Sequence, residues 1–213
     1  AQAVAVRAGH APWANPVMLS VALLAAVLLA TGTAYPTYFA GAQFIHFLLG
    51  PAVVALGWPL WQRRAALRAR WGRLVLASLA GGTAAAASAV GLGWALGLPG
   101  DVRMSLAPKS VTAPVAMGVA AQIGGVPALA AVFAALTGMV GALSARWLFG
   151  LMRLPTDAEG MALRGFALGT ASHGIGAAHA MQVNADAGAY AGLALGLQVV
   201  LAAVLMPLGF RLF

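Results

Sequence analysis

Of 213 residues, 62% are apolar and 8% charged, against about 45–50% and about 25% in an average soluble domain. No Cys occurs, which excludes disulfide scaffolds, thiolate metal sites, cysteine nucleophiles and iron–sulfur clusters. A net charge of +8 would point to nucleic acid in a soluble protein, but the charges are confined to a few places. Uncharged stretches cover 8–62, 74–100, 110–145, 165–185 and 187–210, each reaching the roughly 18–20 residues that a membrane-crossing helix needs. The chain therefore reads as a polytopic, all-α integral membrane protein, one transmembrane domain over 1–213 with no nucleic-acid partner.

The first residue is Ala rather than Met and no signal-peptide pattern follows, so the expectation is a trimmed N-terminus with a helix missing upstream of residue 1. A first span is expected at about 16–34 and a second at about 39–61, separated by the turn-forming run Thr31–Tyr38. Arg63, Arg64, Arg68, Arg70 and Arg73 then cluster beside Trp58, Trp61 and Trp71, as a cytoplasmic loop flanked by interfacial aromatics. A third span, about 74–97, carries Gly81-Gly82 and Gly93-xxx-Gly97, small residues that let helices approach closely in lipid.

Residues 105–127 are interrupted by Pro108, Pro114, Pro127, Gly124-Gly125 and Lys109. Such breaks are tolerated at membrane depth only where protein or a watery cavity satisfies the freed backbone. A regular span at about 128–149 ends near Arg146 and Arg153, and a second interrupted segment, 165–181, mixes glycines with Thr170, Ser172, His173 and His179. The last span, about 188–209, carries a Gly188/Gly192/Gly196 ladder. This amounts to a helix bundle of about five regular spans plus two discontinuous segments. A shift of 64 residues lays Ala116-Met117 over Ala180-Met181 and Gly124 over Gly188. With the arginine cluster inside, the two broken segments enter from opposite sides, the signature of an inverted repeat.

No arrangement supports an enzyme. The carboxylates Asp101, Asp157, Glu159 and Asp186 sit in expected loops or at span ends, and no HExxH, GxSxG or P-loop occurs. No cofactor and no metal are expected, since His173 and His179 lack a third ligand. The broken segments instead offer half-helix N-termini, which suit a carboxylate, with Ser110, Thr112, Thr170 and Ser172 as hydroxyl donors. Lys109 either attracts an anion or snorkels from a helix end. His173 either binds or exchanges a proton beside the solute, or is a neutral imidazole bonded to a neighbouring backbone. His179, His46 and Gln43 read as structural.

At APKSVTAPVAM (107–117) and GTASHGIGAAHAM (169–181) the sequence resembles the LrgB/CidB family, as it does at Tyr35-xx-Tyr38-xx-Gly41-Ala42-Gln43, 49–61, 123–142 and 188–197. It departs from the family at Thr112-Ala113-Pro114, where Thr-Thr-Pro is usual, at Val53 (usually Thr) and at Trp61 (usually Tyr). The family's members are bacterial inner-membrane proteins first described as anti-holin-like and holin-like, related to a plant plastid glycolate/glycerate translocator. The resemblance implies transport of small organic acids such as glycolate, glycerate, pyruvate or acetate. It also implies an alternative role in murein hydrolase control and lysis, with a small LrgA/CidA-type membrane partner. The solute site is placed at Lys109, Ser110, Thr112, Pro114, Thr170, Ser172, His173, Gly174 and Gly176. Small-residue faces suggest a homodimer.

Overall fold

The computed structural model describes residues 2–7, 16–55, 58, 61 and 64–210, which form helices joined by short turns with no strand among them. The chain falls into two units, residues 1–56 and 57–213. The first holds α1 (Gln2–Arg7), α2 (Pro16–Thr31) and α3 (Tyr35–Ala55). Its inter-helix break is shorter than the expected 31–38. Gly32 takes φ 62° and the Thr33 amide returns to the Leu28 carbonyl, a left-handed glycine cap that ends a helix in one residue. α3 then restarts at once, with Pro36 in its first turn. Gln43 is exposed, whereas the side chains of His46 and Val53 fall outside the described residues.

The second unit opens with α4 (Arg64–Ala95). The expected arginine loop is corrected here: Arg64, Arg68, Arg70 and Arg73 lie on the first turns of a 32-residue helix, roughly 48 Å long at 1.5 Å per residue. Ala, Leu and Arg are strong helix formers, so the helix starts before its apolar stretch. Arg63 lies outside the described residues. Gly93-xxx-Gly97 is not a helix-packing face either, because Gly97 (φ 68°) ends α4, with the Leu98 amide on the Gly93 carbonyl.

The first interrupted segment is a helical hairpin. α5 (Gly100–Leu106) leads to a tip at 107–112, and α6 (Ala113–Ile123) returns. Eleven residues rise only roughly 16 Å, about half of a ~30 Å hydrocarbon core. Ser105 clasps the hairpin's base, accepting the Val126 amide at 2.8 Å and donating to the Asp101 carbonyl at 2.7 Å. A methyl on Gly125 would collide with the Ser105 backbone, which is why glycine stands there. α7 (Pro127–Leu151) follows.

The second interrupted segment also folds back. α8 (Ala158–Val183) is broken at His173, whose φ 40° and ψ −133° are non-helical. Across the break, Gly176 abuts the Leu168 carbonyl and the Ser172 side chain, whereas eight residues of straight helix would separate 168 from 176 by roughly 12 Å. Asp157 caps the arm before the break (158–172, the inward arm, with 174–183 the outward arm) through the Gly160 amide, and Asn184 caps α9 (Ala185–Phe210) through the Asp186 and Ala187 amides. α9 then runs parallel to the inward arm, with Gly165 on the Ala187 carbonyl and Gly169 on that of Ala191. The expected Gly188/Gly192/Gly196 ladder is thus not the contact that fixes this pair: Gly188 meets Met181, and nothing lies within 4 Å of a Cβ built on Gly192.

The two hairpins attach at opposite ends of α7. Near its start, Ala130 packs with Ala116, Ala120 and Ala202; near its finish, Ala145 packs with Leu168, Ala177, Ala180, Ala187 and Ala191. Cores made of alanine and glycine let helices meet closely, the packing that works without a hydrophobic force between helices. Arg70 and Glu159, both exposed, approach to 4.0 Å, so the start of α4 lies near the start of α8. Among the described residues three helices are long and apolar enough to cross a membrane, within α4, α7 and α9, fewer than the five regular spans expected.

Candidate functional site

The tips of the hairpins carry the polar residues singled out in the sequence. At the first tip, the Lys109 amide bonds the Leu106 carbonyl and the Val111 amide bonds that of Pro108, so two successive turns reverse the chain. Thr112 is the N-cap of α6 in extended geometry and its side chain makes no cap bond; Pro114 occupies the first turn and brings no N–H. The first amides of α6 therefore face the tip without a side-chain cap. Ser110 is buried and its Oγ has no partner, while Lys109 and Thr112 are half-buried and Pro114 is exposed.

At the second tip, Thr170, Ser172 and His173 are 8%, 1% and 5% exposed. The Thr170 and Ser172 hydroxyls have no partner. Gly176 is buried and Gly174 half-buried. The His173 backbone lies in a region that costs a non-glycine residue about 1–3 kcal/mol. Two features hold it there. Its Nε2–H donates to the Ala134 carbonyl at 2.8 Å, and the imidazole and the Ser172 hydroxymethyl lie on Gly138 and Gly141, where any Cβ would collide with them.

The second tip lies along Ala134–Gly141 of α7, and Val111 of the first tip shares an apolar cluster with Ala130 and Ala134. Ala134 receives the His173 bond through its carbonyl, while its methyl belongs to the cluster that contains Val111 of the first tip. The second of the two readings offered for His173, a bond to a neighbouring backbone, is thus present, and Nδ1 remains as the ring's other nitrogen. Among the described residues no hydrogen bond joins the polar side chains of one tip to those of the other. His179 is half-buried on the outward arm, away from the tip, and no group of three or more His, Asp or Glu side chains is placed to hold a metal among the described residues.

Sequence reasoning missed Ser78 and Gln198, which are 0% and 3% exposed and joined by a Gln198 Nε2–H to Ser78 carbonyl bond of 2.6 Å. The available signal was a lone Gln inside the uncharged stretch 187–210. It also missed the glycine bed of Gly138 and Gly141. A cavity of about 590 Å³ lies between α4 and α9 and is lined by none of the nine residues expected at the solute site.

The family model described as the LrgB-like family matches residues 1–212. Similar proteins include YxaC of Bacillus subtilis, 31% identical over 95% of this chain and 86% of its own. A protein of Haemophilus influenzae is 31% identical over 93% of this chain and 84% of its own. The holin-like protein CidB of Staphylococcus aureus is 30% identical over 95% and 86%. No solved structure matches.

Proposed function

The chain belongs to the LrgB-like family, and from that premise we propose that it carries small organic acid anions across a bacterial inner membrane. One observation carries the reading. Three hydroxyls, Ser110, Thr170 and Ser172, are buried without partners at the tips of hairpins that reach α7 from opposite ends. Leaving a buried hydroxyl unmade costs about 1–3 kcal/mol each, and a hydrated carboxylate supplies the missing acceptors. The amides that open α6 and the outward arm of α8 add donors and positive dipole ends. Lys109 draws the anion toward the first tip. Thr112, Pro114, Gly174 and Gly176 shape the two turns, and His173 holds the second tip while its free nitrogen exchanges a proton with the solute.

On this reading the arginine-rich end, with Arg64–Arg73, Arg146, Arg153 and Arg164, faces the cytoplasm. The protein is a carrier without a catalytic step, and a homodimer is its assembly. A second reading is favoured by the holin-like name of the CidB relatives: regulation of murein hydrolase activity and lysis through oligomers with a small LrgA/CidA-type partner.

The test is flux of labelled glycolate, pyruvate and acetate into liposomes holding the purified chain, with and without a proton gradient. Saturable flux of at least one acid, accelerated by the gradient, is the expected result. Release of large uncharged dyes with no saturable acid flux would replace the carrier with the lesion-forming reading.

A further inference from the structure

The cavity between α4 and α9 lies wholly within the second unit and plays no part in the proposed solute site. Its walls are apolar, with Ala86, Val90 and Trp94 from α4 facing Leu201, Leu205 and Met206 from α9. From Ser78 to Trp94 it follows α4 for roughly 24 Å of helix rise, the reach of an extended alkyl chain. At one end stands Arg103 of α5, its Cγ 3.2 Å from where a Gly93 Cβ would lie. Its Nε is buried without a partner, and its guanidinium makes no hydrogen bond or ion pair among the described residues. At the other end Ser78 is fully buried with its Oγ unpartnered.

The buried Nε of Arg103 stands without an acceptor at the mouth of an apolar slot, and a buried donor left unmade costs about 1–3 kcal/mol. Asp157, Glu159 and Asp186 sit at the Leu151 end of α7. Asp101 is exposed and its Oδ1 already accepts the Val102 amide. Residues 1–63 contain no acidic residue, so neither the N-terminal helices nor the same stretch of a second copy offers a carboxylate. Small hydrophilic acids, in turn, do not match the apolar walls.

We propose that this slot binds one anionic amphiphile, with its acid headgroup on Arg103 and a single alkyl chain laid between α4 and α9. A free fatty acid and one chain of an anionic phospholipid share that chemistry. The full chain in phosphatidylcholine vesicles is photolabelled with diazirine-tailed palmitate, diazirine-tailed phosphatidylglycerol or an uncharged diazirine-tailed monoacylglycerol, and the adducts are mapped by peptide mass spectrometry. One or both anionic probes should label 78–94 and 198–210, and the neutral probe about tenfold less, the order expected of a charge-assisted hydrogen bond. Arg103→Gln should bring anionic labelling down to the neutral level, and Arg103→Lys should retain most of it. Ala87→Trp should block the slot with Arg103 untouched. Labelling by palmitate alone identifies the free acid as ligand; labelling by phosphatidylglycerol alone identifies the phospholipid. Equal labelling by neutral and anionic probes, unchanged labelling of Arg103→Gln, or no adduct in the slot because protein covers it would each overturn the proposal. None of these outcomes bears on acid transport at the hairpin tips.

Discussion

The two hairpins both pack on α7 but reverse in different ways. The first spends six residues, 107–112, on its tip and pairs its backbone locally, through Lys109 to Leu106 and Val111 to Pro108. The second reverses on the single residue His173 at φ 40°, and that strain is held by one bond to Ala134 and by glycines beneath it. A wide turn is self-sufficient, whereas a one-residue turn depends on its neighbours. The first tip should therefore tolerate backbone-neutral changes and lose only function. The second should couple function to stability.

The largest expected effect concerns the opposed entry itself. In the cysteine-free chain, Asp101→Cys and Thr156→Cys should react with a membrane-impermeant maleimide from opposite sides of oriented vesicles, all-or-none for each. Labelling of both from one side would break the comparison at its root. Next comes packing. Gly169→Leu drives a side chain into the Ala191 carbonyl and should leave little folded protein on size exclusion. Gly118→Leu, on α6 with nothing within 4 Å of its Cβ, should elute like the parent.

At the tips, Lys109→Ala and His173→Ala should each abolish acid uptake while leaving membrane insertion intact. Lys109→Ala should leave thermal stability unchanged. His173→Gly sharpens the contrast, because glycine occupies φ 40° freely. It should be about 1 kcal/mol or more stable than His173→Ala, through relief of strain, yet equally inactive. Wild-type uptake in both Lys109→Ala and His173→Ala would remove the tips from the mechanism. The smallest pair compares hydroxyls. Ser105→Ala breaks the clasp of the first hairpin and should lower stability by about 1–3 kcal/mol. Ser172→Ala removes a buried Oγ that has no partner and should lower acid affinity while raising stability by up to about 1–3 kcal/mol, the cost of the unmade hydroxyl. Thermal unfolding in detergent and acid-uptake KM separate the two.

Much of this architecture is legible in the residues. Prolines and glycines at 108, 114, 124 and 125 announce a broken segment, and Thr170–Gly176 announces another. Where the reading fell short, the missing information was spatial. Nothing local distinguishes a kinked span from a full reversal at His173, because alanine and glycine on both flanks permit either. The arginine cluster read as a loop because its charge was weighed and its helix propensity was not. The glycine ladder at 188, 192 and 196 has the spacing of a packing face, but Gly165 and Gly169 have it too, and only they lie under carbonyls of the neighbouring helix.

The residue order alone determined that the chain seeks lipid, where its helices are interrupted and which polar groups the interruptions carry, since hydropathy, proline and glycine act within a few residues of themselves. Which way each interruption turns, that His173 reaches the Ala134 carbonyl, and that an unpaired arginine borders an apolar slot were decided by the tertiary structure. Those are contacts between segments tens of residues apart, and in a core of alanine and glycine many registers look alike along the chain until carbonyls and Cβ atoms compete for the same space.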